Sequence, residues 1–174
     1  MVPDVTVESI DLLGTIVEFS IGLAGFSGVV GAFIHRSGQW LYVDRFRITN
    51  LLLMSLTPGF SAFVTMGLVS ISPHAIQISS AFLMIAVALL LFFIPRSRAK
   101  VPERDRHLVG SKIFIPMSST FGLILISQAL IAASIIDQYE FTIYYYALVV
   151  ILLLAAIQFA RLILARPEPL PDDT

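Results

Sequence analysis

Residues 75–94 read AIQISSAFLMIAVALLLFFI, a run without a single charged side chain, and residues 95–100 continue as PRSRAK. A helix of about 20 predominantly apolar residues, rising 1.5 Å per residue, crosses the roughly 30 Å of hydrocarbon in a bilayer. The run therefore predicts a membrane-spanning helix that ends at a basic segment.

Four further stretches of the chain have the same character. The five predicted spans cover residues 9–34, 48–71, 75–94, 113–136 and 141–165. Of the 174 residues, 57% are hydrophobic and 13% charged, whereas a soluble domain carries about 25% charged residues. The sequence predicts an all-α, polytopic integral membrane protein. Residues 9–165 are expected to form a single five-helix membrane domain, with 1–8 as a short outer tail and 166–174 as a loose cytoplasmic tail.

The basic residues predict how the chain is threaded. All 11 Lys and Arg residues lie within residues 36–47, 96–112 and 161–166. With five spans, these segments fall on one side of the membrane, and the turns at 72–74 and 137–140 fall on the other. Because basic residues are retained on the cytoplasmic side, we expect an outer N-terminus and a cytoplasmic C-terminus. We expect a multi-pass protein of the inner (plasma) membrane.

One face of the first span is small and acidic. On a helical wheel, the residues within about 40° of Glu18 are Asp11, Gly14, Glu18, Gly22, Gly25 and Ala32. Small residues let a neighbouring helix approach closely, which is how helices associate in lipid. We expect this face to point into protein, with Gly14, Gly22, Gly25 and Gly28 as the packing residues.

Glu18 is the strongest functional candidate in the sequence. It lies about 12 Å along the helix from the outer end, close to the bilayer midplane. A carboxyl group at that depth must be protonated, paired or hydrated. Two interpretations stay open: a titrating or cation-attracting group on an ion path, or a protonated carboxyl that only hydrogen-bonds to a neighbouring helix.

Two other spans carry polar stripes. The stripe of the second span consists of Asn50, Thr57, Ser61 and Thr65, and Pro58 leaves the Met54 carbonyl without its usual amide donor. The stripe of the fourth span consists of Pro116, Thr120, Ser127 and Ser134, with Gln128 beside it. Such groups either line a water-filled path or form ordinary helix contacts. With Glu18, the stripe of the second span is the candidate ion or proton path.

The segment between the third and fourth spans is basic. Its candidate headgroup-binding residues are Arg96, Arg98, Lys100, Arg104 and Arg106. Next to a bilayer, each basic side chain adds about 1 kcal/mol of attraction to anionic lipid, so membrane lipids are expected partners. Nucleic acid is not expected, because the segment has no interleaved aromatic residues and no recognisable module. Aromatic belts are expected at Tyr139 and Tyr144–Tyr146 on the outer side, and at Trp40 and Tyr42 on the inner side.

The sequence carries no recognisable enzyme signature. It has no cysteine, and His35, His74 and His107 lie in loops on both predicted sides. We predict no catalytic residues, metal site or cofactor, and an enzyme is the less favoured class. The leading hypothesis is a homo-oligomer that passes protons or small ions. The alternatives are a non-catalytic subunit or scaffold with a membrane-protein partner, packing through the first helix, and, more weakly, a lipid-handling enzyme.

Overall fold

The structure is a computed structural model that describes residues 7–36, 42–101, 111–136 and 138–164. Over these residues it is all-helical. The five helices are α1 (Val7–Arg36), α2 (Tyr42–Val69), α3 (Ala75–Ala99), α4 (Ser111–Ala132) and α5 (Glu140–Leu164). All five are long and apolar enough to cross a membrane. The prediction of an all-helical chain with five helices that could span a membrane is confirmed, and the fold is compatible with a multi-pass membrane protein.

Helices α1 and α2 pack against each other in antiparallel fashion. A Cβ atom placed on Gly59 would lie 2.5 Å from the Ser20 Cβ, and one placed on Gly31 would lie 3.4 Å from the Ile48 side chain. The two contacting residues are equally far apart in α1 and in α2, and their order along the chain is reversed, as antiparallel packing requires. In that register Ser61 of α2 lies level with Glu18 of α1. The tightest contact falls at Gly59, where α2 has no side chain between its backbone and α1.

Helix α2 is the centre of the bundle, in contact with α1, α3 and α5, and α3 lies between α2 and α4. The core at its middle depth is made of large apolar side chains from these helices. Its fully buried members include Leu51, Met54, Leu83, Val87, Leu148 and Ile151. Burying each such side chain contributes roughly 1.5–3 kcal/mol in water, but in lipid their packing fit contributes most.

Two helices extend further than the apolar runs suggest. Helix α2 begins at Tyr42 rather than near residue 48, and α3 continues through Pro95 to Ala99. Hydropathy marks the part of a helix that lies in hydrocarbon, whereas the backbone stays helical into the polar region. Pro95 removes one amide donor, but the helix continues past it.

Helix α4 ends earlier than predicted, at Ala132 instead of near residue 136. Ser134 has a φ of 54°, in the left-handed region. Its amide donates to the Ile131 carbonyl at 2.8 Å, and the Ile135 amide donates to the Leu130 carbonyl at 2.9 Å. This pair of bonds is a Schellman motif, which ends a helix by satisfying its last carbonyls. Ser134 therefore lies beyond the helix and is not part of a stripe on α4.

The two ends of the bundle differ in charge. The end with the α2–α3 and α4–α5 connections, here the turn end, carries no Lys or Arg among the described residues. The opposite end, here the basic end, carries Arg45, Arg47, Arg96, Arg98, Lys100 and Arg161. The separation agrees with the predicted threading. That the turn end faces outward stays a prediction, as do the roles of the two tails, most of which lie outside the described residues.

Candidate functional site

Glu18 lies on the outside of the bundle. It is exposed, about 17 Å along the α1 axis from Val7 and about 27 Å from Arg36. It makes no hydrogen bond or ion pair with any other residue that the structure describes. The carboxyl therefore lies within the apolar length of α1 without a partner among the described residues.

The glycines of α1 share this outward face. Gly22, Gly25 and Gly28 are exposed, and Gly14 is half-buried. A Cβ atom on any of the four would meet no atom within 4 Å. They make no close contact with another helix among the described residues, so the packing expected of them stays a prediction.

The face of α1 that packs against the rest of the chain is a different one. Its buried residues are Leu13, Ile16, Ser20, Ser27 and Gly31. This face also contains small residues, so size alone did not identify which side of α1 meets α2. The glycine face does not meet the described helices of its own bundle, so the expectation that it points into protein stays a prediction.

The polar stripe of α2 is divided between two surfaces. Asn50, Ser61 and Thr65 are buried in the bundle. Thr57 instead lines an apolar groove of about 410 Å³ between α1, α2 and α3, which also includes Ser20 and Phe82. Its hydroxyl donates to the Leu53 carbonyl at 2.7 Å. The five residues of the candidate path do not converge in one chain.

The bundle interior contains a layer of polar side chains near the turn end. Its members, here called the polar layer, are Ser61, Thr65, Ser79, Ser80, Gln128 and Tyr144, all fully or almost fully buried. Measured from the helix ends at 1.5 Å per residue, they lie about 6–12 Å deep. Four helices contribute to the layer, namely α2, α3, α4 and α5.

Tyr144 and Thr65 connect α5 to α2 within this layer. Their hydroxyl oxygens are 2.7 Å apart, and the Thr65 hydroxyl is also 2.7 Å from the Ser61 carbonyl. Tyr144 is fully buried, so its expected place in an outer aromatic belt was wrong. The hydrogen bond compensates the polar end of a large aromatic side chain in the core. Tyr139 and Tyr146 are exposed, as a belt requires.

Several oxygens of the layer have no hydrogen-bond partner among the residues that the structure describes. They are Ser61 Oγ, Ser79 Oγ, Ser80 Oγ and Gln128 Oε1. The Gln128 amide nitrogen lies 3.4 Å from Ser127 Oγ, a long contact. An unpaired buried polar group costs about 1–3 kcal/mol, so these four oxygens reduce the stability of the bundle in water-free surroundings.

A chain of side-chain hydrogen bonds lies above the layer, at the turn end. The exposed His74 has Nδ1 3.2 Å from Gln77 Oε1, and Gln77 Nε2 donates to Glu140 Oε2 at 3.0 Å. Because the amide oxygen only accepts, Nδ1 of His74 carries the proton in this contact. Glu140 is only 6% exposed. The most buried carboxyl group among the described residues is therefore Glu140, not Glu18.

Sequence reasoning did not identify Glu140 or the polar layer. One available signal was the spacing of Glu140 and Tyr144, which places both on one face of α5. The second was Gln128, whose amide needs partners at membrane depth. Neither signal shows which helices meet at that level.

Basic side chains collect at the other end. The Arg96 guanidinium lies 4.0 Å from the centre of the Phe92 ring, a cation–π contact that holds it beside the apolar surface. Arg98 and Lys100 follow on the last turns of α3. Arg104 and Arg106 lie outside the described residues. Three of the five candidate headgroup-binding residues therefore lie at the basic end.

No group of three or more His, Cys, Asp or Glu side chains that could hold a metal ion occurs among the described residues. Comparisons with protein-family models, with curated proteins and with solved structures find no match to this chain.

Proposed function

We propose that the protein is a homo-oligomer of the plasma membrane that passes protons or small cations, with the outward face of α1 as the contact between subunits. The observation that carries the proposal is Glu18, which is exposed within the apolar length of α1 and has no partner among the described residues. Placing an acidic group in hydrocarbon costs a few kcal/mol on translocon scales. A second protein surface over Glu18 removes that cost.

The glycines support a close contact at the same face. The space beside Gly22, Gly25 and Gly28 is open in the single chain, and small residues let two helices approach in lipid. Closed symmetry is usual for homo-oligomers, and here it would bring one Glu18 from each subunit to the shared surface. Carboxyl groups held together there can share protons or attract a cation.

The path in this proposal runs between subunits. The fully buried Leu51, Met54 and Leu148 fill the middle of the single bundle. The buried hydroxyl of Ser55 beside them donates to the Leu52 carbonyl of its own helix. Of the α2 stripe, Thr57 lies nearest the outside, on the groove beside Ser20. Asn50, Ser61 and Thr65 face the interior and would serve that route only indirectly.

Proton flux in liposomes tests the mechanism. Wild-type protein is expected to dissipate an imposed pH gradient faster than empty liposomes, and Glu18→Gln is expected to reduce the rate to background. Glu8→Gln is the matched control, because it makes the same change at the exposed start of the same helix. Equal flux in the wild type and Glu18→Gln, or no flux above background in the wild type, rejects the mechanism.

Oligomeric state tests the contact separately. Gly25→Leu fills open space in the single chain but blocks close approach of a second α1, so native mass spectrometry is expected to find monomers. Gly67→Leu is the control, since Gly67 also faces open space but lies on α2. An unchanged oligomer in Gly25→Leu places the contact elsewhere.

A non-catalytic subunit of a larger membrane complex is the second candidate. The closed apolar middle of the bundle favours it, because a scaffold needs no passage. In this case the outward face of α1 packs against a different polypeptide. Purification in mild detergent separates the two: a stoichiometric second polypeptide supports the scaffold, and a pure homo-oligomer supports the channel.

A further inference from the structure

We propose that the basic end of the bundle contains a binding site for the phosphate group of an anionic membrane lipid, formed between α2 and α5. The residues of this site, here called the α2–α5 cluster, are Arg47, Asn50, Gln158 and Arg161. The cluster is distinct from the basic residues at the end of α3 and from the outward face of α1. It therefore does not depend on the proposed function.

The two arginines lie at the same depth. Helices α2 and α5 run in opposite directions, and the 2.7 Å contact between the Thr65 and Tyr144 hydroxyls fixes their register near the turn end. At 1.5 Å per residue, Arg47 lies about 27 Å from Thr65 along α2. By the same measure, Arg161 lies about 26 Å from Tyr144 along α5. About five full turns separate Arg47 from Thr65, so both lie on the side of α2 that faces α5.

The charges of the cluster are not balanced. Arg47 is attracted by Asp44 and repelled by Arg161, so two guanidinium groups share the field of one carboxylate. Arg161 makes no hydrogen bond or ion pair with any other residue that the structure describes. Both arginines are half-buried, which weakens the screening of their repulsion by water and salt. An anion bound between the two helices offsets this repulsion.

Asn50 adds an amide group one turn deeper. It is 7% exposed, and its side chain makes no hydrogen bond with any residue in the described part of the chain. Because Asn50 follows Arg47 by three residues, the two side chains are neighbours on α2. Unlike the four buried oxygens of the polar layer, the Asn50 amide is not sealed from the surface. A ligand that accepts from this amide removes the cost of leaving it unpaired.

All four side chains of the cluster can donate, which selects a ligand that accepts. Guanidinium groups have only donors, and each amide contributes an NH₂ group. Gln158 Nε2 lies 3.4 Å from Met117 Sδ on α4, and a thioether is a weak acceptor that a charged oxygen displaces. Phosphate oxygens accept, carry negative charge and bind a guanidinium through two parallel hydrogen bonds. The donors therefore fit a phosphate group and do not fit a cation.

The surroundings of Arg161 favour a lipid over a soluble phosphate. Ile157 and Leu164 lie one turn before and one turn after Arg161 on the same face of α5, and they are 45% and 83% exposed. A ligand whose phosphate binds Arg161 has its remaining parts beside apolar side chains. A phospholipid has this arrangement of an anionic headgroup next to acyl chains, and basic residues at a membrane surface attract anionic lipid.

Binding of phosphatidylglycerol to the full chain in mild detergent tests the site. Native mass spectrometry measures the dissociation constant of the first bound lipid. Arg161→Gln is expected to weaken binding about tenfold, because it removes the charge and the paired hydrogen bonds. Arg45→Gln is the matched control, since Arg45 is exposed on α2 at the same end, and its effect is expected to stay below about twofold. Equal dissociation constants for the two variants overturn the proposal.

Arg161→Lys separates a formed site from general attraction to the basic end. It keeps the charge but loses the two parallel hydrogen bonds, so binding is expected to weaken about fivefold. An unchanged dissociation constant in Arg161→Lys overturns the proposal, and this variant decides if Arg161→Gln does not fold. Inorganic phosphate tests the source of the phosphate group. At the lipid concentration it is expected to leave the bound lipid in place, and displacement of the lipid overturns the assignment to a lipid.

Discussion

The hydroxyl groups of Thr65 and Tyr144 lie 2.7 Å apart and join α2 to α5 inside the core. Thr65 also donates to the carbonyl of Ser61 on its own helix. When the Thr65 proton goes to that carbonyl, the Tyr144 hydroxyl donates to Thr65 Oγ1. Tyr144 accepts only when Thr65 shares its proton between the two oxygens. In either case the contact fixes the rotation of both helices at the level of the polar layer.

Removing this contact is expected to weaken the bundle measurably. Tyr144→Phe should lower the free energy of unfolding by about 1 kcal/mol, the usual size of a hydrogen bond between membrane helices. The measurement is unfolding in mixed micelles, with a double-mutant cycle that includes Thr65→Val. Tyr146→Phe is the control, because Tyr146 is exposed. A coupling energy of zero between the two positions would show that the hydroxyls do not interact.

The contact of Gly59 with Ser20 predicts a steric effect. In Gly59→Ala the new methyl group would lie 2.5 Å from the Ser20 Cβ, and the helices must separate at a cost of about 1–3 kcal/mol. Gly67→Ala on the same helix meets open space and is expected to be neutral or stabilising by up to about 1 kcal/mol. Unfolding experiments on both variants check this. Equal stability of the two would contradict the packing of α1 on α2.

The left-handed Ser134 predicts a stabilising substitution. Ser134 has a φ of 54°, a conformation that costs an L-residue about 1 kcal/mol more than glycine. Ser134→Gly is expected to raise the free energy of unfolding by about that amount, and Ser134→Val is expected to lower it, because a β-branched residue tolerates this region least. A melting temperature of Ser134→Gly below that of the wild type would contradict the left-handed conformation of residue 134 at the end of α4.

The basic end predicts a preference for anionic lipid. Replacing Arg96, Arg98 and Lys100 together by Gln should weaken the binding of anionic lipid by about 1 kcal/mol per charge. Native mass spectrometry of the lipid retained by the purified protein measures the loss. The control exchanges the same positions as Arg96→Lys, Arg98→Lys and Lys100→Arg, which keeps the charge. An equal loss in both triple variants would assign the effect to shape instead of charge.

The distribution of basic residues predicts the orientation. In intact cells, a membrane-impermeant maleimide is expected to label Ser72→Cys in the α2–α3 connection and not Lys100→Cys at the basic end. The cysteine-free chain makes each variant its own single reporter. Labelling of Lys100→Cys alone would invert the threading.

The sequence predicted the number and approximate bounds of the helices because that information is local. A run such as residues 75–94 must be helical in lipid, where each backbone group needs an internal partner. Helix ends were less predictable. Ser134 ends α4 without the glycine that usually marks such a position. Helix α2 begins six residues before its apolar run.

The faces of the helices were harder to predict. Glu18 and Ser20 lie on the same helix, and both sides of α1 contain small residues, so the wheel alone did not show that Ser20 meets α2 while Glu18 faces outward. In water a hydrophobic face marks the buried side. In lipid both sides of a helix are apolar, so the pattern loses this information.

By itself, the amino-acid sequence determined that the chain has five helices long and apolar enough to cross a membrane and that its Lys and Arg residues fall in three segments, since hydropathy and charge belong to each segment independently of its neighbours. Only the tertiary structure decided that Glu140 and Tyr144 are buried and that Glu18 is not. Burial of a given side chain depends on which helix lies opposite, and that contact joins residues far apart in the chain, such as Thr65 and Tyr144.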